Sequence, residues 1–152
     1  MDPLLVRGFL AALLGAVAMT LSSSTEMYLR ERPPSETPGE AGNKLLGLLG
    51  LPRQAGQRLT LLSTWVHWIY STIWGAVFWL LADPGLVGLD LIAAAPAFFA
   101  LVWGMALVGL PALGLAPPFW RWGRKEVAID AWHHVVYAAG TAAGWWLIEQ
   151  AA

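Results

Sequence analysis

Four long apolar stretches, separated by polar segments rich in charge, proline and glycine, dominate the sequence. They cover residues 4–21, 59–82, 86–110 and 127–148. A bilayer core of about 30 Å requires roughly 20 apolar residues of helix, and each stretch is close to that length. Because backbone groups in lipid must be satisfied within the segment, each stretch is expected to be helical. The pattern predicts an all-α polytopic membrane protein, one domain over residues 1–152, whose four transmembrane helices form an antiparallel bundle.

The composition supports a membrane protein. Hydrophobic residues make up 57 % of the chain and charged residues 12 %, whereas soluble domains carry about 25 % charged residues. The chain has ten tryptophans, and tryptophan concentrates at membrane–water interfaces. It has no cysteine, which excludes disulfides and thiolate metal sites, and a net charge of −1 offers no basic surface for nucleic acid. Ala-Val-Ala at residues 16–18 resembles a signal-peptidase site, but no basic cluster precedes the span, so a retained span is expected.

The basic residues predict the orientation of the chain. Eight of the nine Lys and Arg residues fall within residues 22–58 and 111–126, and the ninth is Arg7. Positive charge in short loops favours the cytoplasmic side. Both segments are therefore expected in the cytoplasm and both termini outside, in the inner (plasma) membrane of a bacterium.

Each predicted cytoplasmic segment has features that suit a membrane surface. The stretch "NKLLGLLGLP", residues 43–52, is apolar but too short to span, so it is expected to be interfacial, re-entrant or a packing element. The second segment alternates Trp120 and Trp122 with arginines, a pattern typical of an aromatic belt beside lipid phosphates. Four arginines are candidate lipid-phosphate ligands: Arg30, Arg32, Arg121 and Arg124. For the first two, a salt-bridge cluster with Glu26 is the alternative.

A short pattern, W-x-H-x-x-Y, occurs in the second and the fourth spans. Its residues are Trp65, His67 and Tyr70 in one span and Trp132, His134 and Tyr137 in the other. The two histidines lie about 12 Å and about 10 Å from the cytoplasmic ends of their spans, at 1.5 Å per residue. Each half of the chain has two spans, so a two-helix internal repeat would place a pseudo-two-fold axis along the membrane normal. The alternative is chance similarity, because the match is short.

Helical spacing places the polar residues of each pattern on one face. Asp130, His134, Tyr137 and Thr141 follow the same spacing as Ser63, His67, Tyr70 and Trp74. Because polar groups facing lipid are costly, both faces are expected to point inward. We therefore predict one polar site in which the two imidazoles meet, with Trp65 and Trp132 beside it. Asp130 is expected to accept the Nδ1 proton of His134, and Glu26 is a candidate carboxylate for His67. His133, about 100° away from His134, is expected to face another helix or the headgroups.

Small residues recur at intervals of four. Gly8, Ala12 and Ala16 lie on the first span, and Gly140 and Gly144 form a G-x-x-x-G on the fourth. Such residues let helices approach closely, either within one chain or between two.

Part of the sequence resembles the YagU-like family of small bacterial inner-membrane proteins. The residues concerned are "PALGLAPP", 111–118, followed by a helix with a carboxylate and a histidine, together with "WVHWIYSTIWGAVF" and "VRGFLAALLGAVA". The resemblance implies a polytopic inner-membrane protein and brings no catalytic mechanism. This chain is shorter than one member of that family, which carries a larger insertion between its first two spans.

Three functions fit these observations. The first is an accessory or structural subunit of a larger membrane complex, in which the polar residues act as interhelical hydrogen bonds. The second is transport or handling of protons or small cations through the polar site. The third is binding of haem b with His67 and His134 as axial ligands, and no other cofactor or metal site is predicted. No G-x-S-x-G or H-E-x-x-H motif occurs, so no enzyme activity is expected. The expected partners are membrane lipids, and the oligomeric state stays open.

Overall fold

The computed structural model describes residues 2–151, and within this range all regular structure is helical. Six α-helices follow one another along the chain, with a short 3-10 turn at Phe119–Arg121 before the last. They are α1 (Pro3–Leu29), α2 (Thr37–Leu48), α3 (Gln57–Ile73), α4 (Gly75–Ala82), α5 (Leu91–Ala112) and α6 (Arg124–Ala151). The all-α prediction is confirmed for the described residues.

Two helices in the described range, α1 and α5, are long and apolar enough to cross a membrane. By this criterion the prediction of four such helices is confirmed for the first and third spans only. The second span is interrupted at Trp74, which leaves helices of 17 and 8 residues. The fourth span lies in α6, which is long enough at 28 residues. Its polar residues, among them Asp130, His133 and His134, lower its mean hydropathy.

The segment between the first two spans is more helical than the sequence indicated. Helix α1 continues to Leu29, eight residues beyond the predicted end of the first span, and α2 forms within the predicted loop. Pro38 lies in the first turn of α2, where a missing backbone N–H costs nothing because that group has no helical partner. The apolar stretch 43–52 therefore forms the second half of α2 and the turn after it.

Helix α1 lies at the centre of the packing. It contacts α6, α4 and α3, and α5 closes a ring by packing on both α6 and α4. The contacts between α1 and α6 run from Arg7–Glu149 at one end to Arg30–Glu126 at the other. These two helices are therefore antiparallel neighbours over most of their length, and the two ion pairs are about 35 Å apart at 1.5 Å per residue. Helix α3 lies outside the ring, against α1 and α2.

Glycines permit the close approach of α1 to its neighbours. A Cβ atom on Gly15 would lie 2.6 Å from the carbonyl oxygen of Tyr137, and one on Gly144 would lie 3.1 Å from the Cα of Ala11. Gly8 of α1 and Gly75 of α4 are in similarly direct backbone contact. The small residues of the first and fourth spans thus pack against each other within one chain, which accounts for the G-x-x-x-G motif without a second copy.

Aromatic side chains fill the centre of the ring. Phe78 of α4, Phe98 of α5 and Tyr137 and Trp145 of α6 are buried, with neighbouring ring centroids 5.2–5.7 Å apart. These edge-on and tilted contacts are the arrangements that aromatic rings prefer. The centre of the ring is therefore apolar, and the ring of Tyr137 is part of this aromatic core.

Candidate functional site

His67 finds its partner on α1. Its Nε2 lies 3.0 Å from the hydroxyl oxygen of Thr20, and its ring packs edge-on against Trp68. Glu26, the carboxylate proposed for it from the sequence, contacts other residues. A hydroxyl therefore satisfies the imidazole that the second span carries inward, and the contact ties α3 to α1.

His134 is hydrogen-bonded within its own helix. Its Nδ1 donates to the backbone carbonyl of Asp130 at 2.8 Å, while the Asp130 carboxylate lies 3.7 Å away. Because a carbonyl only accepts, the proton of this imidazole is on Nδ1. The carboxylate instead accepts a bond of 2.8 Å from the indole of Trp103 on α5. Asp130 is the partner that the sequence predicted, but the acceptor atom is its backbone oxygen.

The two copies of W-x-H-x-x-Y lie in different surroundings. Tyr137 is 2 % exposed and donates its hydroxyl hydrogen to the carbonyl of Ser71, whereas Tyr70 is 47 % exposed. Trp65 and Trp132 are both largely exposed. The difference at tyrosine arises because α6 belongs to the ring and α3 lies outside it.

The residues of the predicted polar site do not form one cluster, and each makes a separate contact with a different part of the protein. No hydrogen bond joins His67 to His134 within residues 2–151. Each imidazole is bonded to a different neighbour, α1 in one case and the preceding turn of α6 in the other. A haem held by both histidines would have to displace the Thr20 bond from His67 Nε2, the nitrogen that would ligate iron. Over the same residues, no three His, Cys, Asp or Glu side chains are grouped to hold a metal ion.

His133, which the sequence placed against another helix or the headgroups, is the buried histidine of the protein. Its Nδ1 lies 2.9 Å from the hydroxyl of Ser22 on α1, and its Nε2 lies 3.9 Å from a carboxylate oxygen of Glu26. In the described part of the chain, this Nε2 is the one buried side-chain nitrogen or oxygen without a hydrogen-bond partner. Such atoms are rare in folded proteins and mark a position where a further polar partner would fit.

Glu26 is held by two arginines that follow it on the chain. Arg30 donates to Glu26 at 2.7 Å and to Glu126 of α6 at 2.6 Å, and Arg32 donates to Glu26 through Nε at 2.8 Å and through Nη2. The Arg30 guanidinium lowers the pKa of the Glu126 carboxyl below its ordinary value. We call Ser22, Glu26, Arg30, Arg32, Glu126 and His133 the Glu26 cluster. It connects the ends of α1 and α6 that the distribution of basic residues predicts to face the cytoplasm.

The four arginines proposed to bind lipid phosphate fall into two pairs, one inside the Glu26 cluster and one outside it. Arg30 and Arg32 direct their donors to carboxylates, which is the salt-bridge alternative. Arg121, in the 3-10 turn, and Arg124, at the start of α6, are exposed. Of the four, these two have the open position that a phosphate ligand requires.

The sequence indicated one part of the Glu26 cluster, since salt bridges of Glu26 with Arg30 and Arg32 were the alternative to lipid binding. For the contacts to α6 the available signal was weaker: Ser22 and Glu26 are four residues apart and so share a helix face. Their partner on α6 depends on the register between two helices more than 100 residues apart in the chain, and helical periodicity carries no information about that register. Comparisons of the chain with protein-family models, with curated proteins and with solved structures give no match.

Proposed function

We propose that this chain is a small integral protein of the bacterial inner membrane that crosses the bilayer four times and serves as an accessory or structural component of a membrane complex. The observation that carries the proposal is the separation of the polar residues into individual helix-to-helix bonds. His67 bonds to α1, Asp130 to α5 and Tyr137 to α3. Such bonds stabilise membrane bundles by about 0.6 kcal/mol each on average. No catalytic role is assigned to them, and the resemblance to the YagU-like family belongs to the same proposal.

The packing of the helices supports four crossings, although the second and fourth spans are less apolar than the first and third. Helix α6 lies along α1 from one end to the other, so if α1 crosses the membrane, α6 crosses the same layer. Its polar residues are tolerated because His133 and Tyr137 are buried against other helices. Helices α3 and α4 are separated by Trp74 alone and together have 25 residues, about 38 Å of helix.

An internal repeat is compatible with this arrangement. In the ring, α1 lies opposite α5 and α4 lies opposite α6. These are the pairs that a two-fold axis along the membrane normal would relate. The contrast between buried Tyr137 and exposed Tyr70 would then reflect divergence of the two halves.

Single-cysteine labelling tests the four crossings directly, because the natural chain has no cysteine. We expect a membrane-impermeant maleimide added to spheroplasts to label Val87→Cys and Gln150→Cys but to label Glu36→Cys and Gly123→Cys only after lysis. All four positions are exposed. If Glu36→Cys and Val87→Cys are labelled from the same side, α3 and α4 do not cross. If Gly123→Cys and Gln150→Cys are labelled from the same side, α6 does not cross.

A second candidate function is proton handling, and the unpartnered Nε2 of His133 favours it. Histidine is the side chain that gains and loses protons near neutral pH, and ionisable groups inside a bundle are functional candidates. The nitrogen faces Glu26 at 3.9 Å, close to the end of the bundle expected in the cytoplasm. In this candidate function the proton-exchanging group is His133, whereas the sequence suggested the His67 and His134 pair.

Proton uptake by reconstituted protein tests this candidate. In liposomes loaded with a pH-sensitive dye, we expect the wild-type protein to dissipate an imposed pH gradient faster than empty liposomes do. His133→Gln should abolish the effect, while His67→Gln, whose histidine bonds a hydroxyl of the same helix α1, should retain it. Equal rates for wild-type and empty liposomes would eliminate proton handling and leave the structural function alone.

A further inference from the structure

Helix α2 exposes a row of leucines. Leu45, Leu48 and Leu49 follow helical spacing, and Leu51 comes after the turn; all four are at least half exposed, with Leu48 at 83 %. We call these four residues the leucine face. An exposed apolar surface of this kind indicates a partner or a membrane.

The opposite side of α2 is anchored to α3. A Cβ atom on Gly39 would lie 2.7 Å from a methyl carbon of Leu59, and one on Gly42 would lie 2.9 Å from the Cγ of Leu62. The side chain of Asn43 bonds the backbone of Gln54 in both directions, at 3.0 Å and 2.8 Å. These contacts hold α2 in one orientation. Because they lie on the side opposite the leucine face, that face points away from the bundle.

The third side of α2 is polar and borders a cleft. Glu40 bonds Arg53 at 2.7 Å, and the pKa of the Glu40 carboxyl is lowered by that guanidinium. The cleft, of about 420 Å³, lies between α2 and the turn after α5 and is lined by Glu36, Thr37, Glu40, Lys44, Arg53, Gly114 and Leu115. Lys44 is exposed and lies one turn before Leu48, at the boundary between the cleft and the leucine face. Helix α2 is thus apolar on one side, packed against α3 on the second and polar on the third.

The depth of α2 identifies what covers its apolar side. Gly42 contacts Leu62 and Val66, which lie five and nine residues into α3, or roughly 8–14 Å from its start. Interfacial helices bury their apolar faces roughly 5–10 Å into the boundary between headgroups and acyl chains. Beside α2, helix α3 itself exposes Leu61, Trp65 and Ile69 at intervals of four, a row that lipid covers in the four-crossing arrangement.

We propose that α2 is a membrane-surface helix whose leucine face is inserted among the acyl chains of the cytoplasmic leaflet, with Lys44 reaching the phosphates of anionic lipids. This inference rests on the proposed four crossings. Lysine at the edge of an apolar face extends its ammonium group to the headgroups while its stem lies on apolar surface. Helix α2 then supports α3 from the lipid side and keeps the polar cleft open to the cytoplasm.

Spin labels on single cysteines test the proposal in the full chain, reconstituted into bilayers of phosphatidylcholine and phosphatidylglycerol. Molecular oxygen concentrates in lipid and a nickel chelate stays in water, so their collisions with the label report its depth. We expect Leu48→Cys to be accessible to oxygen and protected from nickel, at a depth of roughly 5–10 Å. Gly47→Cys is the matched control: it is the adjacent residue, and a Cβ there meets no atom within 4 Å. It should be accessible to nickel.

Other outcomes would overturn the proposal in distinguishable ways. Nickel access at Leu48→Cys equal to that at Gly47→Cys would place the leucine face in water. Protection from both reagents would mean that protein covers it, either a second copy or another chain. Leu101→Cys, on an exposed position of α5, reports the membrane crossing itself. If that label is open to nickel, the four-crossing proposal fails and the inference about α2 fails with it.

Discussion

Replacement of Gly15 by valine is expected to lower the free energy of unfolding by more than about 3 kcal/mol, the upper end of ordinary overpacking costs. The first new carbon would lie 2.6 Å from the carbonyl oxygen of Tyr137 and 2.9 Å from the backbone nitrogen of Thr141. Because these are backbone atoms of α6, no side-chain rotation relieves the clash. Helices α1 and α6 would have to separate, and the bond between Ser22 and His133 would be strained as a result.

A valine elsewhere provides the control for the Gly15 prediction. Gly104 lies in α5, and a Cβ atom there meets nothing within 4 Å. Gly104→Val should therefore change the unfolding free energy by less than about 1 kcal/mol, since valine is a somewhat better helix former than glycine. Both variants can be measured by circular dichroism as sodium dodecyl sulfate is added to protein in mild micelles. Similar unfolding curves for the two would show that α1 and α6 do not approach at Gly15.

Replacement of Glu26 by glutamine is expected to cost about 2 kcal/mol of stability, between the values for buried and for exposed ion pairs. The Glu26 side chain is 13 % exposed and accepts from both Arg30 and Arg32. A neutral amide leaves Arg32 without its carboxylate and leaves Arg30 with Glu126 alone. The α1–α6 interface should loosen at this end first, and hydrogen exchange of backbone amides near His133 should therefore rise more than exchange near Trp145.

The other end of the same helix pair supplies a matched control. Arg7 and Glu149 form a single ion pair at 3.2 Å, in which the glutamate side chain is 50 % exposed. Glu149→Gln removes one charge from α6 at a solvent-exposed position, so a loss below about 1 kcal/mol is expected. If the Glu26 and Glu149 variants unfold alike, the Glu26 cluster contributes no more than a surface ion pair does.

Several features of the fold were predicted from the sequence because they depend on local composition. Apolar runs of about 20 residues identify α1 and α5, since length and hydropathy are properties of the segment alone. The small residues at intervals of four predicted close helix packing, which the contacts at Gly8 and Gly144 confirm. Periodicity also indicated that the polar side chains of the fourth span face inward, and Tyr137 and Thr141 are buried.

The interruption at Trp74 was not predicted. Gly75 looks like one more small residue in an apolar run, and its role emerges only from its backbone contact with Gly8. That contact brings α4 into the ring while α3 packs on its outside. The two W-x-H-x-x-Y patterns have different surroundings for the same reason, because α6 belongs to the ring and α3 lies outside it.

Local sequence thus determines which segments are helical and apolar and which face of each helix carries polar groups, because these follow from hydropathy and from the 3.6-residue period. The partners of those polar groups were decided only by the tertiary structure. Thr20 as the partner of His67, and Ser22 as the partner of His133, depend on the register and the order of helices around α1. The register between two helices arises from the summed packing of many small residues along both of them. It therefore cannot be predicted from the sequence of either helix alone.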